Sequence, residues 1–283
     1  MNAMSDPSQT WLISGVSTGL GHETAKAALA AGHKVIGTVR KEADAESFAA
    51  LAPGRALPFR IDLTDLDAVA PAVQEIEKAH GPIDVLVSNA GYGLVGAVEE
   101  TSLAEAQALF QVNFFGAFAL IKAVLPGMRQ RRAGTILIVT SVSGLAPWAG
   151  TALYGASKFA LDCLGRTLAD EMRPLGIRVV NVAPGGLRTD FSGRSLNEAE
   201  VVIDDYAGIA DLPRRIFAEN RGHEPGDPAK AAQAIVSLAA AETVPTVQLL
   251  GSDAVHYAQS ALGALQLDYG EGLSLALTTD CKD

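Results

Sequence analysis

WLISGVSTGLG (residues 11–21) is a short apolar run that passes directly into closely spaced glycines. Trp11–Ser14 reads as a strand and a helical pattern begins near His22, so Gly15, Gly19 and Gly21 fall in the turn between them. Glycines at this spacing let the backbone turn tightly and approach a pyrophosphate, whose charge then rests at a helix N-terminus. Alone, in a chain with 28 glycines, the spacing would read as an ordinary turn. The strand before it and the helix after it make it a dinucleotide-loop signal. Ser17 and Leu20 belong to the same loop and are assigned with it to cofactor binding.

Outward from that loop, β-branched runs alternate with Ala/Leu-rich helical patterns. Further strands are expected at Lys34–Val39, Ala56–Arg60, Ile83–Ser88, Gly134–Thr140, Arg178–Ala183 and Thr246–Leu250. Helices are expected near His22–Ala31, Leu66–His80, Leu103–Arg129, Ala152–Met172 and Pro228–Ala240. Ile83, Val85, Leu86 and Val87, like Ile136, Leu137, Ile138 and Val139, make strands apolar on both faces, the mark of a parallel sheet covered on both sides. Alternation with right-handed crossovers then predicts an α/β fold: one Rossmann-like, doubly wound domain with a mostly parallel seven-stranded sheet and helices on both faces. Its expected limits are 10–265, after a disordered N-terminus at 1–9. The mixed segment 190–225 reads as an excursion over the mouth of the site, and 266–283 as a C-terminal tail without an assignment.

The formal net charge of −10 argues against a nucleic-acid binder, which needs a basic stripe, but not against an anionic cofactor held at a local site. Cys163 and Cys281 stand far apart in no CxxC spacing, which favours a reducing, cytoplasmic setting. His22, His33, His80, His223 and His256 show no metal-ligand spacing, so no metal is expected. The opening MNAMSDPSQ lacks a basic region followed by an apolar run, so no signal peptide is expected. The uncharged stretch Ala133–Ser157 is broken by Gly134, Gly144, Pro147 and Gly150, which suits a buried strand and a polar loop rather than a membrane span.

The second strand ends at Val39-Arg40-Lys41. An NAD site would place a carboxylate there for the adenosine ribose hydroxyls; Arg40 instead suits a ribose 2′-phosphate, so NADP(H) is favoured, with NAD possible. Ile61-Asp62-Leu63 closes the third strand, where Asp62 can meet an adenine amino group. Asn89-Ala90-Gly91 closes the fourth, with small residues that let ligand and backbone lie close. After the sixth strand, Pro184-Gly185-Gly186-Leu187-Arg188-Thr189 offers a turn, free backbone donors and a hydroxyl for a nicotinamide carboxamide, although by itself it reads as a tight turn.

Tyr154 and Lys158 lie four apart in a helical pattern and so project from one face. A free tyrosine is too weak an acid to act as a base at neutral pH; a nearby ammonium favours the phenolate. Ser141 ends the fifth strand, where it or its neighbour Ser143 can hydrogen-bond a substrate oxygen or simply form a turn. Asn113 stands among apolar helical residues, as a hydrogen-bond hub or as part of a proton relay, two readings that are compatible.

Taken together, Gly15-x-x-x-Gly19-x-Gly21, Asp62, Asn89-Ala90-Gly91, Asn113, Ser141, Tyr154-x-x-x-Lys158 and Pro184-Gly185 resemble the classical short-chain dehydrogenase/reductase pattern, over about residues 10 to 190. The resemblance implies an Asn-Ser-Tyr-Lys tetrad. In it Tyr154 exchanges the proton and Ser141 orients the substrate oxygen, while Lys158 lowers the tyrosine pKa and binds the nicotinamide ribose. Asn113 anchors a water relay. Two departures are mild: Ser14 stands where the family has Thr, and Ser88 where it has Asn. Arg40 and the strings PGGLRTDF and LGSDAVHYA are similar to bacterial oxidoreductases related to 17β-hydroxysteroid and retinol dehydrogenases, from which no steroid or retinoid substrate follows.

The expected activity is reversible hydride transfer between the nicotinamide and a small-molecule ketone, aldehyde or secondary alcohol. Leu94, Leu145, Trp148 and Phe191 are candidate apolar pocket residues. The resemblance implies a homodimer or homotetramer through the helices that carry Asn113 and Tyr154. The alternative is a regulator that binds the dinucleotide without turnover; it would have no use for Ser141, Tyr154 and Lys158 together.

Overall fold

The computed structural model describes residues 8–281. In chain order the strands are β1 (Thr10–Ser14), β2 (Lys34–Val39), β3 (Ala56–Arg60), β4 (Val85–Ser88), β5 (Gly93–Val95), β6 (Gly134–Val139), β7 (Ile177–Pro184), β8 (Leu196–Glu198) and β9 (Val247–Leu250). The helices are α1 (Gly19–Ala30), α2 (Glu42–Ala49), α3 (Leu66–His80), α4 (Leu103–Phe110), α5 (Ala117–Arg131), α6 (Ala152–Met172), α7 (Phe191–Arg194), α8 (Ala207–Asn220), α9 (Pro228–Ala240) and α10 (Ser252–Ala276).

Seven strands form one sheet in the order β3-β2-β1-β4-β6-β7-β9, every pair parallel. Because side chains alternate across a strand, neighbouring apolar residues serve opposite layers. Trp11, Ile13, Val87 and Val180 pack with Ala25 and Leu29 of α1 and Ile235 of α9. Leu12, Leu86, Ile136 and Ile138 pack with Val73 of α3, Val124 of α5 and Leu161 of α6. The sheet is therefore covered on both faces, as its uninterrupted apolar runs require. The order reverses between β1 and β4, and in such sheets the crevice for a ligand opens at the strand ends on either side of that reversal.

Several elements differ from the sequence expectation. Leu103–Arg129 is not one α-helix: α4, opened by a Ser102–Glu105 capping box, ends at Phe110, and a π-helical turn, Gln111–Gly116, leads into α5. The run Leu103–Arg131 is long and apolar enough to cross a membrane by length and composition. Here Leu120, Ile121, Val124 and Met128 from it are core residues packed on the sheet. The excursion 190–225 holds α7, β8 and α8, and β8 pairs in parallel with β5 as a separate two-stranded sheet. α10 continues through the boundary expected at 265, so the tail is helical to Ala276. Of the segment expected to be disordered, residues 1–7 lie outside the described residues, while the Ser8 hydroxyl donates to the Gly32 carbonyl at 3.0 Å.

Candidate active site

A cleft of about 1210 Å³ opens at the carboxyl ends of the strands. Gly15, Ser17, Gly19, Leu20, Arg40, Asp62 and Leu63 line one end of it, with Asn89, Ala90 and Gly91 beside them. Ser141, Tyr154, Lys158, Pro184, Gly185, Leu187 and Thr189 line the remainder together with Trp148 and Phe191. Most of the site residues expected from sequence thus share one cavity.

The glycine loop is shaped by need. Gly15 and Gly19 take φ of +73° and +64°, which a side chain would oppose, and a Cβ at Gly15 would press on Ala90 at 3.2 Å. Gly21 does not reach the cleft: it is buried, and a Cβ there would collide with the Gly15 carbonyl oxygen and the Asn89 side chain. Its assignment to direct cofactor contact is corrected to packing, which lets α1 approach β4. The Ser14 hydroxyl accepts from the backbone N–H groups of Asn89 (2.9 Å) and Ala90 (3.0 Å), and the Asn89 amide donates to the Ser14 carbonyl at 2.9 Å. Serine in place of threonine still ties β1 to β4 at the switch point.

Arg40 is exposed at the end of β2. Asp62 accepts from the Thr64 N–H at 2.9 Å and its hydroxyl at 2.8 Å. These bonds hold its carboxyl below the usual range, and the nearby Arg40 charge adds to them. One Asp62 oxygen carries both Thr64 bonds, leaving the second oxygen as an acceptor. These shapes fit a dinucleotide: two positive-φ glycines free of side chains, backbone donors at the head of α1, and a cation with a carboxylate where the adenosine ribose and base would lie.

At the other end, Tyr154 and Lys158 project from the first turns of α6. Burial pushes the Tyr154 hydroxyl up to about 12, against a smaller lowering from its hydrogen bond with Ser141. Burial pushes Lys158 down to about 8. Burial disfavours the charged form of each group and sets the direction of both shifts. Ser141 sits in extended backbone after β6, and its hydroxyl accepts from the Ser143 N–H at 3.1 Å. Both serines line the cleft, and it is Ser141 that bonds Tyr154.

Asn113 is fully buried inside the π-helical turn and does not line the cleft. Its Oδ1 accepts from the Tyr92 N–H at 3.0 Å; its amide donates to the Tyr92 carbonyl at 2.9 Å and to the Ser157 hydroxyl at 3.1 Å. These bonds make Asn113 a hydrogen-bond hub that clasps the segment after β4 to α6.

Among the expected pocket residues, Trp148 and Phe191 line the cleft, Phe191 with its ring 5.9 Å from that of Tyr154. Leu94 does not: pairing of β5 with β8 turns it inward, buried with Leu109 behind Tyr154. Leu145, just past the short turn 142–144, also stands off the wall. Reading the sequence missed Ile216 and Phe217 of α8 and Tyr257 of α10, which line the outer cleft, with the Phe217 ring 5.4 Å from Trp148. The signal available was the helical spacing Ala210, Pro213, Phe217, obscured by a proline inside the run.

The short chain dehydrogenase family model matches residues 9–200. Oxidoreductase BOA17 of Botryotinia fuckeliana is 32% identical over 270 residues, which are 95% of this chain and 98% of that protein. Retinol dehydrogenase 8 of Bos taurus is 38% identical over 80% of this chain and 77% of its own length. A short-chain dehydrogenase crystal structure from Streptomyces avermitilis superposes with a TM-score of 0.91 at 37% identity, covering 98% of this chain and all of that one. Glycine loop, switch-point cleft and Ser-Tyr-Lys cluster agree with these likenesses, and the chain belongs to the short-chain dehydrogenase family, oxidoreductases that act on CH–OH and C=O groups.

Proposed function

We propose that this chain is an NADP(H)-preferring oxidoreductase that transfers hydride reversibly between the nicotinamide and a ketone, aldehyde or secondary alcohol, with Tyr154 as general acid/base. The observation that carries this reading is a single cleft with Arg40 and Asp62 at one end and Ser141, Tyr154 and Lys158 at the other. When bound, the nicotinamide supplies or accepts the hydride. In the reductive direction the neutral Tyr154 hydroxyl, held protonated by burial, gives its proton to the substrate oxygen. The Ser141 hydroxyl, already bonded to Tyr154, holds the same oxygen. Lys158, buried beside Gly91, offers positive charge to the phenolate left behind. Asn113 keeps the Tyr92 backbone and α6 in register, and through the resemblance also anchors a water relay.

Trp148, Phe191, Ile216 and Phe217 favour a substrate with an apolar or aromatic body next to its carbonyl. A homodimer or homotetramer fits the large exposed side chains Phe115, Phe118 and Phe159, on the helices that carry Asn113 and Tyr154. The exposed free thiols Cys163 and Cys281 fit a reducing, cytoplasmic setting. The test is carbonyl-dependent oxidation of NADPH and NADH, side by side, over aliphatic, aromatic and multi-ring ketones and aldehydes. Turnover favouring NADPH is expected. Turnover favouring NADH would discard the role given to Arg40, and tight binding without turnover on any carbonyl would favour a regulator.

A further inference from the structure

The turn after β7 is held from three directions. Gly185 N–H donates to the Leu250 carbonyl at the end of β9 at 2.9 Å, and Gly226 N–H donates to the Gly186 carbonyl at 2.9 Å. The third hold is the shortest: Gly186 N–H donates to Asp253 Oδ2 at 2.7 Å, a charge-assisted bond from the turn to the first turn of α10. Space is closed as well as bonded. A Cβ on Gly185 would run into both carboxylate oxygens of Asp253, so backbone and side chain lie in direct contact.

Asp253 is also an uncomfortable residue at this place. Its Oδ1 is buried with no hydrogen-bond partner, although the side chain lies on the lining of the cleft. An orphaned carboxylate oxygen is costly, and the favourable place of an acid in the first turn of α10 offsets only part of that. A gain that offsets the cost is positional: Pro184, Gly185, Gly186 and Leu187 all line the cleft, and a small movement of their backbone would move any group held against it.

We infer that Asp253 is a positioning residue for the dinucleotide site: it sets the turn 184–187 against the nicotinamide end of the cofactor, and so makes the start of α10 part of that site. This rests on the dinucleotide reading of the cleft. Asp253 acts through the Gly186 N–H and touches no reacting atom. Its effect is confined to the nicotinamide end, because the adenosine end is built from the glycine loop, Arg40 and Asp62, at other strand ends. An acceptor oxygen of the right reach is what the turn requires, so asparagine should serve where alanine does not.

The test measures binding to the full chain by calorimetry, using NADPH and NADH together with their adenosine halves, 2′,5′-ADP and ADP. Asp253→Ala should weaken the better-bound dinucleotide by about tenfold or more, while its adenosine half binds within about twofold of wild type. Asp253→Asn should stay within about threefold of wild type for the dinucleotide. If the alanine variant does not fold, Asp253→Ser, whose hydroxyl is too short to reach Gly186, takes its place. Equal loss of dinucleotide and adenosine half, no loss in the alanine or serine variant, or as large a loss with asparagine would each overturn the inference. Wild-type protein that binds neither dinucleotide would overturn the cofactor reading first and this inference with it.

Discussion

Lys158 Nζ donates to the backbone carbonyl of Val139 at 3.1 Å, a buried bond that spans 19 positions and joins α6 to the end of β6. The bond holds the amine beside Gly91, where an added Cβ would lie 3.3 Å from Nζ and 3.0 Å from Asn113 Oδ1. The amine thus sits on the wall of the cleft, but with too little solvation for a comfortable ammonium.

That burial has a signature in stability. Lys158 is pushed down from 10.5 to about 8, so the folded chain releases this proton near pH 8 while the unfolded chain keeps it to about 10.5. The unfolded state binds more protons across that window, so the lysine's contribution to stability rises with pH from about 8 to 10.5 and is unfavourable below it. Tyr154, raised from 10 to about 12, works at higher pH and in the other sense: its contribution is lost as pH climbs from 10 to 12. Urea unfolding of wild type and Lys158→Met at pH 7 and pH 10 isolates the lysine. Wild type should gain relative to the variant by up to about 3 kcal/mol, and a constant difference between the two would sink the assignment.

Direction of reaction should split by pH. Reduction needs the Tyr154 proton, which a hydroxyl at about 12 retains throughout the neutral range. Oxidation needs the phenolate, so its kcat/KM should climb between pH 7 and 10 while that of reduction stays level or falls. Because oxidation itself releases a proton and tilts with pH, the comparison is with Tyr154→Phe: the same profiles in its residual activity would remove Tyr154 from the proton transfer.

Tyr154→Phe keeps the ring against Phe191, Leu94 and Leu109 and removes only the hydroxyl. We expect kcat to fall about a hundredfold or more with dinucleotide affinity within a few-fold of wild type. Turnover within a few-fold of wild type would end the role assigned to the tyrosine.

Arg40→Ala should lower kcat/KM for NADPH by about tenfold to a hundredfold and leave NADH within a few-fold, because one cofactor carries the 2′-phosphate and the other does not. Steady-state kinetics with both cofactors decides it. Equal losses would mean that Arg40 acts only through the charge it lends to Asp62.

The excursion over the cleft is fastened by carboxylates. Buried Glu100 accepts from Ala97 N–H at 2.8 Å and Ile203 N–H at 3.0 Å, and pairs with Arg214 of α8 at 3.3 Å. Glu105 accepts from Glu200 N–H at 3.0 Å, and Glu99 from the Tyr206 hydroxyl at 2.8 Å. Glu100→Ala leaves the Ala97 and Ile203 N–H groups without their acceptor and takes from Arg214 its buried partner, with Asp211 and Glu198 still beside it, a loss on the order of 2 kcal/mol. Limited proteolysis should then cut within 196–220 well before the sheet core, with dinucleotide binding retained. Cleavage as slow as in wild type would show that other contacts hold the excursion.

What could be read from sequence follows what each feature depends on. The seven main strands were legible because a doubly covered parallel sheet writes itself as unbroken apolar runs, such as Ile136–Val139. β5 and β8 were not, since three residues carry no usable period, and with them went the side to which Leu94 points. In α2, only Ala45 and Phe48 are buried, too sparse a stripe to notice in EADAESFA. Motif spacing placed Tyr154 and Lys158 on one face, yet it says nothing of the desolvation that raises the tyrosine and lowers the lysine. Asp253 lies in a string already noticed for its resemblance; its bond to Gly186 spans 67 positions, and no local pattern announces it.

Besides the pairing of β8 with β5, the excursion is fastened at Glu99, Glu100 and Glu105, inside one short stretch before and within α4, whereas Ser141, Tyr154 and Lys158 hang from β6 and α6. The carboxylates that fasten the excursion therefore lie on a different piece of chain from the residues of the proposed proton transfer. Changes in the length and lining of α8 that keep those anchoring carboxylates would leave β6 and the start of α6, and with them Ser141, Tyr154 and Lys158, where they are.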